Sequence, residues 1–319
     1  TIRLNGGAGR MAFPMTQAVD MHQAHRLYEK LLGVLRPRTR VLTAFSGGVD
    51  STLVAYAARQ ALGQANAPAA IGDSASLPRH ELEQARRLAR RLDLDLIEIP
   101  VDEQDDPNYQ RNAGDRCYFC KTHLYARLHA LAARLNVPYI ASGANLDDLG
   151  DHRPGLQAAR EAQVIQPLWE AGLDKASVRA VAALLGLPNA DKPASPCLAS
   201  RIPHGTPVTL ERLRQIEQAE NTLRELGFAG FRVRHHEQVA RVELPWDQVS
   251  RLMEDDALRR RVIQGLKQAG YLFVTLDLEG FRSGSGNVLL TVKGRLEPGP
   301  AAVEAHAPAG RTVAARLGE

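Results

Sequence analysis

Cysteine is scarce in this 319-residue chain, with three residues, aromatics make up 5%, and long apolar runs are missing. An odd, small cysteine count argues against a disulfide framework. Without an apolar run of about eighteen residues or a secretory pattern at the start, the expectation is a cytoplasmic protein with no membrane partner. Few aromatics leave few platforms for stacking bases, and a net charge of +4 is too weak to argue for nucleic acid. Arginine blocks such as Arg259-Arg260-Arg261 read as solvated helix faces. What is present, 44% apolar content, suffices for one large or two ordinary domains.

The most informative stretch begins at Val41. An apolar run to Phe45 ends at Ser46-Gly47-Gly48, after which Leu53, Val54, Ala57, Ala58 and Leu62 recur at helical spacing. The glycines therefore sit at a strand-to-helix turn, where backbone can approach a ligand and the free N–H groups of the helix point into the same space. This is an anion site, to which Ser46 and Ser51 add hydroxyls. Asp50 places a carboxylate where a phosphate would sit, which is unfavourable unless a divalent cation lies between them. A nucleotide with magnesium fits better than bare phosphate. The loop lacks the lysine of a Walker-type sequence, so it cradles pyrophosphate differently.

Further short apolar runs, "PAAIGDS" (68–74), "LDLIEIPV" (94–101), "VPYIASGAN" (137–145) and "AQVIQPL" (162–168), are spaced along the chain, with a charged amphipathic helix expected over Arg79–Arg91. The pattern predicts an α/β fold with a doubly wound parallel sheet. Ligands of such sheets bind beyond the carboxyl ends of the strands, where Ser46, Ser74 and Ser142-Gly143 fall. After Pro207 a long helix, "TLERLRQIEQAENTLRELGF", the strands "FRVRHH" and "VARVEL", a further helical stretch and the strand "YLFVTLDLEGF" predict a smaller α+β unit. The expected division is a flexible leader over 1–16, the α/β domain over 17–205, an α+β domain for substrate binding or oligomerisation over 206–295, and a flexible tail over 296–319.

The cysteines fall in two places. "RCYFCKTHLY" sets Cys117 and Cys120 three apart, close enough to grip one metal or cluster if this is a helix start or a turn. "DKPASPCLASRIPHG" puts Cys197 in a segment whose prolines stop regular structure, and the guanidinium of Arg201 would favour its thiolate, the form that attacks an activated acyl group. The plainer readings are buried small hydrophobes, or a zinc site with His123 as fourth ligand. Arg232 and Arg234 alternate along a strand, which puts both on one face and suits phosphate. Asp147 and Asp148 read equally well as turn residues.

The hexapeptide Ser46-Gly47-Gly48-Val49-Asp50-Ser51 resembles the PP-loop of the ATP pyrophosphatases. Together with "SGANLDDLGDHRPG", the cysteine loop, "FRVRHH" and "LDLEGFRSGSGN", it resembles the LarE family over about residues 17–293. The resemblance implies a PP-loop fold that binds ATP through Ser46, Gly47, Gly48, Asp50, Ser51, Ser74 and Gly143, with Mg2+ on Asp50. It implies adenylation of a carboxylate on a pyridinium-dicarboxylate mononucleotide and its conversion to a thiocarboxylate for the nickel-pincer cofactor of lactate racemase, with Cys197 as nucleophile. Single-cysteine members sacrifice that sulfur. This chain resembles the three-cysteine variety, in which Cys117, Cys120 and Cys197 would hold a 4Fe-4S cluster fed by a sulfide source. Ser200, Arg232 and Arg234 match the substrate-phosphate positions, Arg282 is a further candidate, and Glu220 and Glu243 match acidic positions for metal or substrate orientation. A homo-oligomer is expected. The rival readings are a tRNA thiolase, which should carry an RNA-binding module, and a nucleotide-sensing module without chemistry.

Overall fold

The computed structural model describes residues 20–150 and 154–282. The leader 1–16, the tail 296–319 and the Ser283–Asn287 part of the last motif lie outside the described residues. Four strands, β1 (Val41–Ala44), β2 (Ala69–Asp73), β3 (Leu96–Pro100) and β4 (Tyr139–Ala141), form a wholly parallel sheet in the order β3-β2-β1-β4. The chain steps one way from β1 to β2 and the other way to β4, so the loops leaving β1 and β4 diverge at a switch point. The PP-loop and Gly143 occupy that point.

Burial on both faces explains why β1 reads as a continuous apolar run. Val41 packs with the helices Met21–Leu35, Val49–Leu62 and Lys175–Leu184, whereas Leu42 packs with Arg116–Leu135 and Pro154–Glu161 on the opposite face. The expected helix over Arg79–Arg91 forms with those bounds. It lays Leu82, Ala85 and Ala89 on Ile71 and Phe45. No helix among the described residues is long and apolar enough to cross a membrane.

One expected strand does not form. Over residues 162–168 only Ile165 bridges to Ala141. Gln163 turns into the left-handed region at φ 51°, and Pro167, which has no N–H to give a ladder, opens the short helix Pro167–Glu170.

The second sheet joins β5 (Arg232–His236) antiparallel to β6 (Val239–Glu243), and β6 parallel to β7 (Phe273–Leu276). Helices Leu210–Glu225, Trp246–Glu254 and Asp256–Gln268 cover it through Leu223, Leu252, Leu258, Val262 and Leu266. β7 is shorter than its apolar run suggested. After Asp277, whose N–H bonds Val242 O at 2.8 Å, the chain turns at Gly280 with φ +70°.

Between the two sheets lies a separate apolar cluster. Leu198, Ala199 and Ile202 of the cysteine loop pack with Tyr109 on one side and Leu213 and Ile216 of helix Leu210–Glu225 on the other. Each fully buried Leu or Ile there stabilises by about 1.5–3 kcal/mol. The cysteine loop is thus held by core contacts despite its irregular backbone.

Candidate active site

At the end of β1 the backbone closes tightly on itself. Gly47 has φ +70°, and a Cβ there would come 3.1 Å from that of Ala85. Gly48 is the N-cap of helix Val49–Leu62 and supplies no side-chain cap, so the first N–H groups of the helix face outward. Ser51 Oγ accepts the Ser46 N–H at 3.1 Å and lies 3.0 Å from Ser46 Oγ, which sets both hydroxyls at the mouth of the loop. From β4, Gly143 rests directly on this helix start. Any Cβ at that position would lie 2.6 Å from Ser51 N.

Asp50 has partners. Its Oδ1 accepts from Asn145 Nδ2 at 3.0 Å and its Oδ2 pairs with Lys175 Nζ at 2.5 Å. The cation required beside this carboxylate is thus supplied by an ammonium in this structure. Asp147 and Asp148 serve as turn residues: Asp148 Oδ2 accepts the Asn145 N–H at 2.9 Å, and Asp147 Oδ2 accepts the Lys175 N–H at 3.1 Å.

A second lysine, Lys192, reaches from the cysteine loop to Glu81 Oε2 at 2.6 Å and to Gly47 O at 3.5 Å. Burial opposes ionisation of Glu81, but hydrogen bonds from His80, Lys192 and Ser195 hold its carboxyl well below the usual range. A loop that carries no lysine therefore obtains two from distant segments. Sequence reasoning missed both as site residues: Lys192 stands in the quoted cysteine segment, and Lys175 carries no local signal at all.

A cavity of about 410 Å3 joins these groups. It runs from Ser46, Gly48 and Asp50 past Ser74 to Cys120 and Cys197. Cys117 and Cys120 occupy the first turn of helix Arg116–Leu135, where a spacing of three puts them on one face. Cys117 is exposed and Cys120 half-buried. Burial, with the charge of Glu103 adding to it, pushes the Cys120 thiol up to about 12. Cys197 is extended and precedes a short 3-10 turn, Leu198–Arg201. All three thiols are free.

Among the described residues no group of three or more His, Cys, Asp or Glu side chains is arranged to hold a metal ion. The imidazole considered for a zinc site, His123, pairs through Nε2 with Asp106 at 3.0 Å.

Arg201 does not take the position expected beside the thiol. It is buried, forks onto Glu220 at 2.8 and 3.1 Å, and donates to Pro196 O at 2.7 Å and Cys197 O at 3.1 Å. It shapes the loop from its backbone side. Arg234 likewise forks onto Glu243 at 3.0 Å through both oxygens and reaches Ser200 O at 3.0 Å. Glu220 and Glu243 are thus arginine partners here, in place of the metal or substrate contacts expected of them.

Arg232 differs from its neighbours. No carboxylate of the described residues lies within ion-pair distance of it; it donates to Phe231 O and Ala194 O and lies over the Phe281 ring at 5.1 Å. Burial, with nearby Arg201 adding to it, pulls its pKa down to about 10. Ser200 Oγ donates to Cys197 O at 2.8 Å, so Ser200, Arg232 and Arg234 converge on the cysteine loop. Arg282 does not join them. It is exposed and paired with Glu279.

Comparison with known proteins agrees with this geometry. The NAD synthase family profile matches residues 34–139. An uncharacterized protein of Synechocystis is 46% identical over 252 residues, 79% of this chain and 93% of its own length. The pyridinium-3,5-bisthiocarboxylic acid mononucleotide synthase of Lactiplantibacillus plantarum is 39% identical over 261 residues, 82% of this chain and 94% of its own. An uncharacterized protein of Methanocaldococcus jannaschii is 26% identical over 245 residues, 76% and 91% of the two chains. With a PP-loop at the switch point of a parallel sheet and such identity along nearly the whole of a characterised member, the chain belongs to the LarE family of PP-loop, ATP-dependent sulfurtransferases.

Proposed function

We propose that this chain uses ATP to adenylate a carboxylate of a pyridinium-dicarboxylate mononucleotide and replaces the activated oxygen by sulfur, a step in nickel-pincer cofactor biosynthesis. The observation that carries this reading is the cavity shared by the PP-loop and Cys197. The carboxylate oxygen attacks the α-phosphorus, the bond to the bridging oxygen breaks, and pyrophosphate leaves. A sulfur nucleophile then attacks the acyl carbon and AMP leaves. Both steps fit within one enclosure, so the acyl-adenylate meets sulfur without escaping to water.

The helix N–H groups behind Gly48 and the hydroxyls of Ser46 and Ser51 bind the pyrophosphate portion, and Lys175 and Lys192 offset its charge. Asp50 is the carboxylate that would hold Mg2+, which supplies further neutralisation at the phosphates. The hard carboxylate oxygens suit it and the phosphates would bring the remaining donors, with Lys175 giving up Asp50 Oδ2 to the metal and turning to the phosphates. Arg232, aided by Ser200 and Arg234, takes the mononucleotide phosphate.

Cys117, Cys120 and Cys197 would hold a 4Fe-4S cluster. What supports this is three free thiols, two in one helical turn and the third on a loop bonded to that turn through Arg116; as placed they form no single-ion site, and loading would have to draw them together. Such a centre would supply a reusable sulfide in place of the cysteine's own sulfur. The Cys120 thiol must give up its proton to ligate, so loading releases protons. Residues 17–205 would then handle ATP and sulfur, and 206–295 the substrate phosphate. The reducing cytoplasm suits three free thiols. A homo-oligomer would cover exposed Met253, Leu272 and Phe273.

The 39% identical relative, a mononucleotide synthase by name, supports this substrate over tRNA. Anaerobically reconstituted protein with Mg2+ and ATP should release AMP and pyrophosphate in response to the pyridinium mononucleotide and not to tRNA, and the reverse dependence would overturn the reading. Repeated turnover at constant protein mass is expected. A loss of about 34 Da per product, hydrogen sulfide leaving a cysteine, would instead make Cys197 a sacrificial donor.

A further inference from the structure

Behind the cysteines lies a charged side chain for which neither the PP-loop nor the phosphate site accounts. Arg116 is 6% exposed. Its Nη1 donates to Asn112 Oδ1 at 2.6 Å and to Ala199 O at 2.8 Å, and no carboxylate of the described residues lies within ion-pair distance. Burying a guanidinium among neutral acceptors alone is strongly unfavourable, so a counter-charge is called for. The Arg116 backbone stands one residue before Cys117 and one turn before Cys120, and Ala199 O lies two residues past Cys197. The groups around it that can carry negative charge are the thiols of Cys197, Cys117 and Cys120 and the phenol of Tyr109.

Asn112 strengthens the same joint. It is fully buried in the left-handed region at φ 52°, and its Nδ2 donates to Pro203 O at 2.8 Å and Thr206 O at 2.9 Å. Its own carbonyl accepts the Gly205 N–H at 3.0 Å. Arg116 and Asn112 therefore fasten the loop of Cys197 to the turn that bears the other two thiols.

We propose that Arg116 is the positioning residue of the cysteine site and the cation that makes Cys197 favour anionic over neutral reactants. This rests on the sulfur-transfer reading above for the use of the site, and on the placement of Arg116 for its charge. The buried carboxylate of Glu103, which lines the cavity beside Cys120, opposes this field, so a preference for anions at Cys197 reads the balance between the two.

The test uses the intact chain without ATP, metal or substrate. Cysteine alkylation is followed by peptide mass spectrometry with anionic iodoacetate and neutral iodoacetamide at one pH. The ratio of the two rates cancels the thiolate fraction and reads the local charge. In the wild-type chain the ratio at Cys197 should exceed that of the urea-unfolded chain, and Arg116→Met should lower it by at least about five-fold, as removal of a near cation in a partly buried site requires. Arg116→Lys should retain most of it.

An unchanged ratio in folded Arg116→Met overturns the proposal. Should that variant not fold, the wild-type excess is measured in Lys121→Met, because Lys121 also lines the cavity. An excess that vanishes there transfers the role to Lys121 and overturns the assignment, whereas one that persists upholds it. If the ratio behaves as expected but no thiocarboxylate forms from the mononucleotide, the substrate reading fails and the anion site stands. The opposite outcome removes the anion site alone.

Discussion

The two ends of the cavity are built in different ways. At the ATP end, contiguous residues from Ser46 to Ser51 set most of the geometry through backbone, and Gly143 and Asn145 beyond β4 and the two neutralising lysines complete it. At the sulfur end, a helical turn, an irregular loop and an arginine are brought together from separate parts of the chain. The first end can be recognised in a sequence fragment, while the second exists only in the folded molecule. The difference implies separable functions: one end should survive damage to the other.

The sharpest break is Cys197→Ala. Thiocarboxylate formation should cease, while pyrophosphate release in the first turnover stays within about three-fold, since nothing at the PP-loop bonds to that side chain. A parallel collapse of pyrophosphate release would show that the ends are one unit. Lys175→Met acts from the other side. Loss of a cation that offsets developing phosphate charge should slow adenylation by roughly 10²–10³-fold. Transfer of sulfur to a preformed acyl-adenylate should continue, and product analysis with that intermediate checks both.

The arginines of β5 offer a finer division. Arg232→Ala should raise the KM for the mononucleotide by about 10- to 100-fold with the ATP KM unchanged, because charge-assisted hydrogen bonds contribute about 1.5–3 kcal/mol each. Arg234→Ala should act mainly on stability. It removes the forked partner of Glu243, which is 0% exposed and keeps Arg241 Nη2 at 3.4 Å, a change of about 1–3 kcal/mol that denaturant unfolding would reveal. If both variants change only KM, the strand is a substrate grip throughout.

Acid should give the smallest effect. The folded-state pKa of Glu81 is depressed, so its contribution is present above the unfolded carboxylate value and is lost as pH falls below it toward the folded value. Glu81→Gln should flatten that acid limb in thermal unfolding against pH. It should also loosen Lys192 and Ser195, visible as a modest rise in the ATP KM.

What was legible in the sequence follows the same division. The turn at Gly47-Gly48 and the helix Arg79–Arg91 depend on neighbours in the chain, and their residues announce them. The strand expected over 162–168 failed because apolar content alone does not outweigh a proline that cannot donate. Arg201 was placed beside the thiol on sequence proximity, which does not fix where a long side chain points; its fork follows Glu220. Lys175 and Arg116 stayed hidden for a related reason. Their significance lies in which opposite charges tertiary packing does or does not bring to them, and no local pattern encodes that.

Gly143 has a consequence for the order in which the molecule assembles. Its backbone fills the space a side chain would need against Ser51, and nearby Asn145 bonds Asp50 across 95 residues of sequence. The nucleotide cradle is therefore incomplete until β4, a strand of three residues, has docked on β1. A pairing so short and so distant in sequence carries a large closure cost relative to its contacts, which places it late in folding. ATP binds only after that step, and so draws the last-formed part of the sheet into place by mass action.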